Sequence, residues 1–397
     1  MLVELGMHIT TRKGYAFKSK WFSDDGCPIV KVTNFTTDSI DTLNLVKIPE
    51  RIANDYMKYQ LKTNDVIIQT VGSWPSNPAS VVGKVIRVPK NANGVLLNQN
   101  AVMIEPDVTI HKGYLYYLLR NDTFKNYIVG TAQGSASQAS ITLASIKAYK
   151  FEAPALEIQR KIANILSNYD RLIENNNQRI ATLDEMVQVI YREWFVNFNF
   201  PTLKNIKFMD SSLGDIPEEW KVVPLFEIAD VKYGKNLPTK QLIDLAPFPV
   251  YGASKIIGRF TEFNRKNRTL ICGCRGSVGK MHITLPQSFV TNNSFTFDLD
   301  EYSFYWLYLN LMHRGFQDVI GGSAQPQITL TGISKVQLLK PTDLTLKAFH
   351  DIIHPLFHLK YCLEEKNGNL QKSRDLLLQQ LFSGKIDVSD LDMEVNE

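Results

Sequence analysis

QASITLASIKAYKFEAP at residues 138–154 and QPQITLTGISKVQLLKP at residues 325–341 are two copies of one phrase. They superpose without a gap: Gln138 falls on Gln325, Ile141-Thr142-Leu143 on Ile328-Thr329-Leu330, and Pro154 on Pro341, a constant offset of 187 residues. Self-similarity at a fixed offset means that the chain is built from two like units. The register continues past each proline. Every seventh residue from 162 reads Ile162, Tyr169, Asn176, Leu183 and Ile190, and the same positions moved on by 187 read Phe349, Leu356, Leu363, Leu370 and Leu377. Nine of these ten are apolar or aromatic, and Ile165, Leu172 and Met186, with Ile352 and Leu359, complete the stripe. Each copy therefore predicts a long amphipathic helix of coiled-coil type. The two helices end alike, at Trp194-Phe195 and Leu381-Phe382, and Pro355 predicts a kink in the second.

Upstream the copies are looser but still align. NQNAVMIE at 98–105 matches TNNSFTFD at 291–298, Gly72-Ser73 matches Gly276-Ser277, and Leu5 to Gly14 matches Leu225 to Gly234. Short β-branched runs bounded by Gly, Pro or Asn predict strands at Asp65–Thr70, Ser80–Val88, Asn100–Glu105, Arg268–Cys272, Lys280–Leu285 and Ser294–Asp298. Helices are expected at Lys112–Asn121 and Ser303–Leu311. The expected fold is α+β, with two pseudo-repeated mixed globular domains and two long helices. Its boundaries are 1–153 for the first domain, 154–197 for the first helix and 198–212 for a connector. The second domain then runs over 213–340, the second helix over 341–385 and a C-terminal tail over 386–397.

Composition narrows the function classes. The 397 residues are 44% apolar and 21% charged, with a net charge of +4, which describes ordinary globular domains that tolerate a polyanion without demanding one. Cys27, Cys272, Cys274 and Cys362 form neither a disulfide framework nor a zinc ribbon, and no run is apolar enough for a signal peptide or membrane span. A cytoplasmic protein is expected. His282 lies near the Cys272/Cys274 pair, but four ligands at metal spacing are lacking, so these cysteines are read as buried and structural. GCRGSVGK at 273–280 fails as a phosphate cradle, because Cys274 occupies the first glycine position and Met281 the hydroxyl position. No hydrolase, zincin, dinucleotide or base-flipping methyltransferase motif is present, so no catalytic residue, cofactor or metal is expected.

Charge is patterned locally. Residues 255–280 carry Lys255, Arg259, Arg265, Lys266, Arg268, Arg275 and Lys280 against the single acid Glu262, and residues 66–104 hold Lys84, Arg87 and Lys90 with no acid at all. Such a stripe can neutralise phosphates or form a solvated face, and depletion of acids at matching places weighs against the solvated face. Two loops, GTAQGSASQAS at 130–140 and GGSAQPQ at 321–327, offer hydrogen-bonding groups without bulk. A glutamine can bridge adenine in the major groove, although each loop alone reads equally well as a plain connector. The candidate DNA-binding residues are Ser73, Lys84, Arg87, Asn100 and Gln138 in the first copy, and Arg265, Arg268, Arg275, Ser277, Lys280, Asn293 and Gln325 in the second. Trp194, Phe195, Leu381 and Phe382 are candidate anchors for partner subunits.

This arrangement resembles the specificity subunit of type I restriction-modification systems. The resemblance is carried by PALEIQRKIANILSNYDRLIENN from Pro154, REWFVNF from Arg192, GDIPEEW from Gly214, RGSVG from Arg275, SAQPQITL from Ser323 and LLLQQLFSGKI from Leu376, in that order over nearly the whole chain. It implies two target-recognition domains, each reading one half of a bipartite site on double-stranded DNA, and long helices that pair antiparallel. It also implies that those helices dock two methyltransferase subunits, and that ATP-dependent restriction subunits complete the enzyme. A helix of about 40 residues spans about 60 Å, long enough to separate two reading heads. The alternative from another class is a free-standing bivalent DNA-binding regulator.

Overall fold

The computed structural model describes residues 2–75, 81–201, 207–212, 214–322 and 325–392; Ser80, Ser323 and parts of the connector and tail lie outside them. The chain forms two compact units, Met1–Asn175 with Lys366–Glu397 and Asn176–Glu365. Each unit takes one globular domain and half of each long helix, because those halves supply part of its core.

The first unit is built on strands β1 (Ile9–Lys13), β2 (Val66–Gln69), β3 (Val85–Arg87) and β4 (Ala101–Pro106), all antiparallel and ordered β1-β4-β2-β3. The second repeats this with β5 (Asp230–Tyr233), β6 (Leu270–Gly273), β7 (Met281–Ile283) and β8 (Ser294–Asp298), ordered β5-β8-β6-β7. Registers match as well: Val66 faces Arg87 and Ile104, and Leu270 faces Ile283 and Phe297. The central strands β2 and β6 are buried along their whole length, which is why they read as continuous apolar runs rather than alternating ones. A three-stranded sheet with one parallel pair recurs beside each, as Val46–Ile48, Cys27–Val30, Leu96–Leu97 and as Ile256–Phe260, Phe248–Tyr251, Phe289–Val290.

The repeated phrase has a local physical meaning. Ile141 and Ile328 are buried, and the next residue caps a short helix: Thr142 Oγ1 accepts from the Ser145 amide at 3.0 Å, and Thr329 Oγ1 from the Gly332 amide at 3.0 Å. The strands that follow, Lys150–Glu152 and Gln337–Lys340, pair antiparallel with Leu2–Glu4 and Lys221–Pro224, so the phrase returns the chain to the start of its own domain.

The long helices run over Leu156–Phe195 and Asp343–Phe382. In the first unit Ile162 and Leu166 share a core with Leu378 and Leu381, and Arg374 reaches Asp170 at 2.7 Å. In the second unit Val187, Tyr191, Trp194 and Phe195 share one with Leu346, Phe349, Ile353 and Phe357, and Lys360 reaches Asp184 at 2.6 Å.

One sequence expectation is corrected. Leu172, Met186, Ile352 and Leu359 are exposed rather than part of the buried stripe, since each helix turns the neighbouring face to its globular domain. The second helix is unbroken at Pro355, where Asp351, His354 and Pro355 are all exposed, so the carbonyl that proline leaves without a donor is on the water side. Among the described residues no helix is long and apolar enough to cross a membrane.

Candidate nucleic-acid interface

In the second unit the turn Cys274–Lys280 joins β6 to β7. Gly276 and Gly279 hold φ of 76° and 75°, left-handed values that glycine adopts without strain, and the Gly279 amide donates to the Gly273 carbonyl at 2.8 Å. The turn is pinned from two sides. Cys274 donates its amide to the Asn293 carbonyl at 2.9 Å, and its carbonyl accepts from the Ile328 amide at 3.0 Å. Arg275 then pairs antiparallel with Gln327, whose backbone is bonded both ways to Gly321 at 2.8 and 2.9 Å. An open cavity of about 500 Å³ results, lined by Arg275, Gly276, Gln325, Pro326 and Gln327, with no acid among them. The Arg275 guanidinium lies 6.0 Å from the Tyr233 ring, and Ser277, Lys280, Asn293 and Gln325 are exposed around it.

The first unit has the same node. Thr70 donates to the Asn100 carbonyl at 2.8 Å and accepts from the Ile141 amide at 2.9 Å, while Val71 and Gly72 pair with Ser140 and Ala139. Val71 thus occupies the place of Arg275, Ser73 that of Ser277 and Lys84 that of Lys280. The Lys84 and Lys280 carbonyls accept from the equivalent Gln69 and Gly273 amides at 2.9 and 3.0 Å. Gln138 is exposed on the hairpin Gln133–Ser135/Gln138–Ser140, which Trp74 Nε1 fastens by donating to the Ser135 carbonyl at 2.8 Å.

The structure divides the basic candidates. Arg275 and Lys280 are exposed on the turn, with Asn293 and Gln325 beside them. Arg265 forks onto Asp298 at 2.7 and 3.0 Å and donates to Thr296 Oγ1, and Arg268 lies 3.5 Å over the Tyr361 ring on the second helix. Arg87 donates to Asp170 at 3.1 Å, and Lys84 is half-buried with Nζ 3.4 Å from the Thr36 carbonyl. Burial holds the Lys84 ammonium below the ordinary lysine range, though the nearby Asp38 opposes the shift. Arg265, Arg268 and Arg87 each make their contact inside their own unit, a use that charge counting does not distinguish from phosphate contact.

Cys272 and Cys274 are fully buried, and burial pushes the Cys272 thiol up to about 12. Tyr233, Gln327 and Trp74 were not singled out in the sequence. Gln327 lay within the quoted loop, but nothing local marked Tyr233 or Trp74. Of the candidate partner anchors, Trp194, Phe195 and Leu381 are buried in their own units, and the partly buried Phe382 stacks on Tyr114 at 5.0 Å. Large apolar side chains at helix ends close the core of the chain itself before any partner arrives.

The family profile described as type I restriction modification DNA specificity domain matches residues 3–185 and 217–367. The specificity subunit of the type I restriction enzyme MjaIX of Methanocaldococcus jannaschii is 24% identical over 75% of this chain and 74% of the relative. That of HindI of Haemophilus influenzae is 22% identical over 83% of this chain and 88% of the relative. The crystal structure of the type I restriction-modification S subunit from M. genitalium shares the fold, with a TM-score of 0.57 at 18% identity over 96% of both chains.

Proposed function

The chain belongs to the type I restriction modification DNA specificity family, and from that premise we propose that it reads a bipartite site on double-stranded DNA, one half-site per domain, for a type I restriction-modification complex. The observation that carries this reading is the doubled node. Two domains of one topology present a glutamine-bearing loop beside a strand end pinned by the same hydrogen bonds, with different side chains there, as two readers of different sequences require. The chain is not an enzyme and needs no cofactor of its own; chemistry belongs to the subunits it recruits.

Recruitment has a surface. Leu172 and Leu376 are exposed on the first unit's helices, and Val189 and Leu359 on the second's. The offset of 187 relates Leu172 to Leu359 and Val189 to Leu376. The same exposed apolar positions thus occur on the helices of both units, which suits two copies of a methyltransferase subunit. ATP-dependent restriction subunits would join the same assembly. A free-standing regulator has no use for such doubled positions.

Purification of the full chain expressed with the methyltransferase should yield a complex that methylates a split motif, while the chain alone transfers no methyl group, hydrolyses no ATP and cuts no DNA. A chain that elutes alone and binds one site stably, or that turns over by itself, would refute the assignment. Within the complex, Lys280→Ala should lower the salt dependence of DNA binding by about one unit per lost phosphate contact. Arg265→Ala and Arg268→Ala should leave the slope unchanged, since their guanidinium groups are engaged inside the unit; a lower slope in these two would place them on phosphates instead.

A further inference from the structure

We infer that Arg275 reads a guanine in the half-site taken by the second domain, and that the first domain lacks this contact because Val71 stands at the equivalent position. The inference rests on the DNA-reading function proposed above and deepens it. Four observations converge. Arg275 is exposed on the turn that joins β6 to β7, at the edge of the sheet where an arginine can reach a base edge. Its backbone is held on both sides, by Asn293 and by the Gln327 pairing, so the side chain starts from a fixed base rather than a wandering loop. The cavity beside it is lined by Gln325 and Gln327 and no acid, a set of amide donors and acceptors suited to base edges. Lys280 on the same turn already offers a compact charge for a phosphate, whereas the planar fork of arginine matches O6 and N7 of guanine together.

The test uses the full chain with its methyltransferase and single-molecule methylome sequencing of cells carrying each variant. The wild-type motif should contain a guanine at a position of one half-site where Arg275→Ala accepts other bases, with discrimination reduced about tenfold to a hundredfold. Every other position of both half-sites should be kept. Arg275→Gln should move the preference at that position from guanine towards adenine, and urea unfolding of both variants should match the wild type. The salt dependence of binding should be unchanged. If Arg275→Ala leaves the motif as it was, or weakens all sequences equally while lowering the salt slope by about one unit, Arg275 touches a phosphate or nothing, and the guanine assignment is overturned. A wild-type chain that directs no site-specific methylation would instead defeat the broader reading.

Discussion

Arg374→Ala should destabilise the first unit by about 3–5 kcal/mol, the range found when one partner is removed from a buried ion network and a charge is left uncompensated. The Arg374 side chain is 5% exposed, and it donates to Asp170 at 2.7 Å and to Asp38 at 3.3 and 3.4 Å. Asp170 also accepts from Arg87 at 3.1 Å and Tyr117 at 2.5 Å, and Asp38 from Arg120 at 2.5 Å, while both of those arginines lie over the Tyr116 ring. Burial by itself would lower the Arg374 pKa, but Asp38 and Asp170 hold it above the ordinary arginine range. Moving on or back by 187 from Asp170 and Arg374 gives Phe357 and Val187, both buried and apolar, with Phe357 stacked on Tyr305 at 4.3 Å. The two domains therefore sit on helix ends of opposite chemistry. A first domain transplanted from a relative up to about Pro154 would need its own counterparts of Asp38, Arg87 and Arg120. Urea unfolding followed by limited proteolysis should show the first unit opening early and the second unit unmoved. A loss under about 1 kcal/mol would mean that water already solvates the network.

Gly273→Ala should cost about 3 kcal/mol in the second unit and abolish recognition of one half-site while sparing the other. A Cβ at this position would lie 2.2 Å from the Ser277 carbonyl oxygen and 2.5 Å from that of Ala253, both backbone atoms, so no side chain can swing away to make room. The first domain has the full-sized Gln69 at the same place in its sheet and suffers no such contact. There the chain returns from residue 69 to residue 84, whereas in the second domain it returns from 273 to 280 and folds back over the strand end. The clash must therefore be relieved by displacing the turn that carries Arg275, Ser277 and Lys280. Methylome sequencing should show a motif degenerate in one half alone. An intact motif would exclude this turn from the interface.

The offset repeat, the apolar β2 and β6 and the helix stripe are local, periodic signals, and they determined the two-domain α+β plan and the two long helices from the sequence alone. The phrase beginning at Gln138 and Gln325 did so because its isoleucine, capping threonine and returning strand act over a few residues, where side-chain chemistry alone dictates backbone geometry. Which apolar face of each helix is buried was not local, and Leu172, Met186, Ile352 and Leu359 turned outward because the globular domain claims the adjacent face. The fate of the arginines was not local either. Arg265, Arg268 and Arg87 meet Asp298, Tyr361 and Asp170, partners 33, 93 and 83 residues away, while Arg275 is left at an acid-free cavity. A charge in a sequence has the same sign whether it faces solvent, a phosphate or a buried carboxylate. Only the folded chain brings the distant partner within about 4 Å, the range at which one use excludes the others.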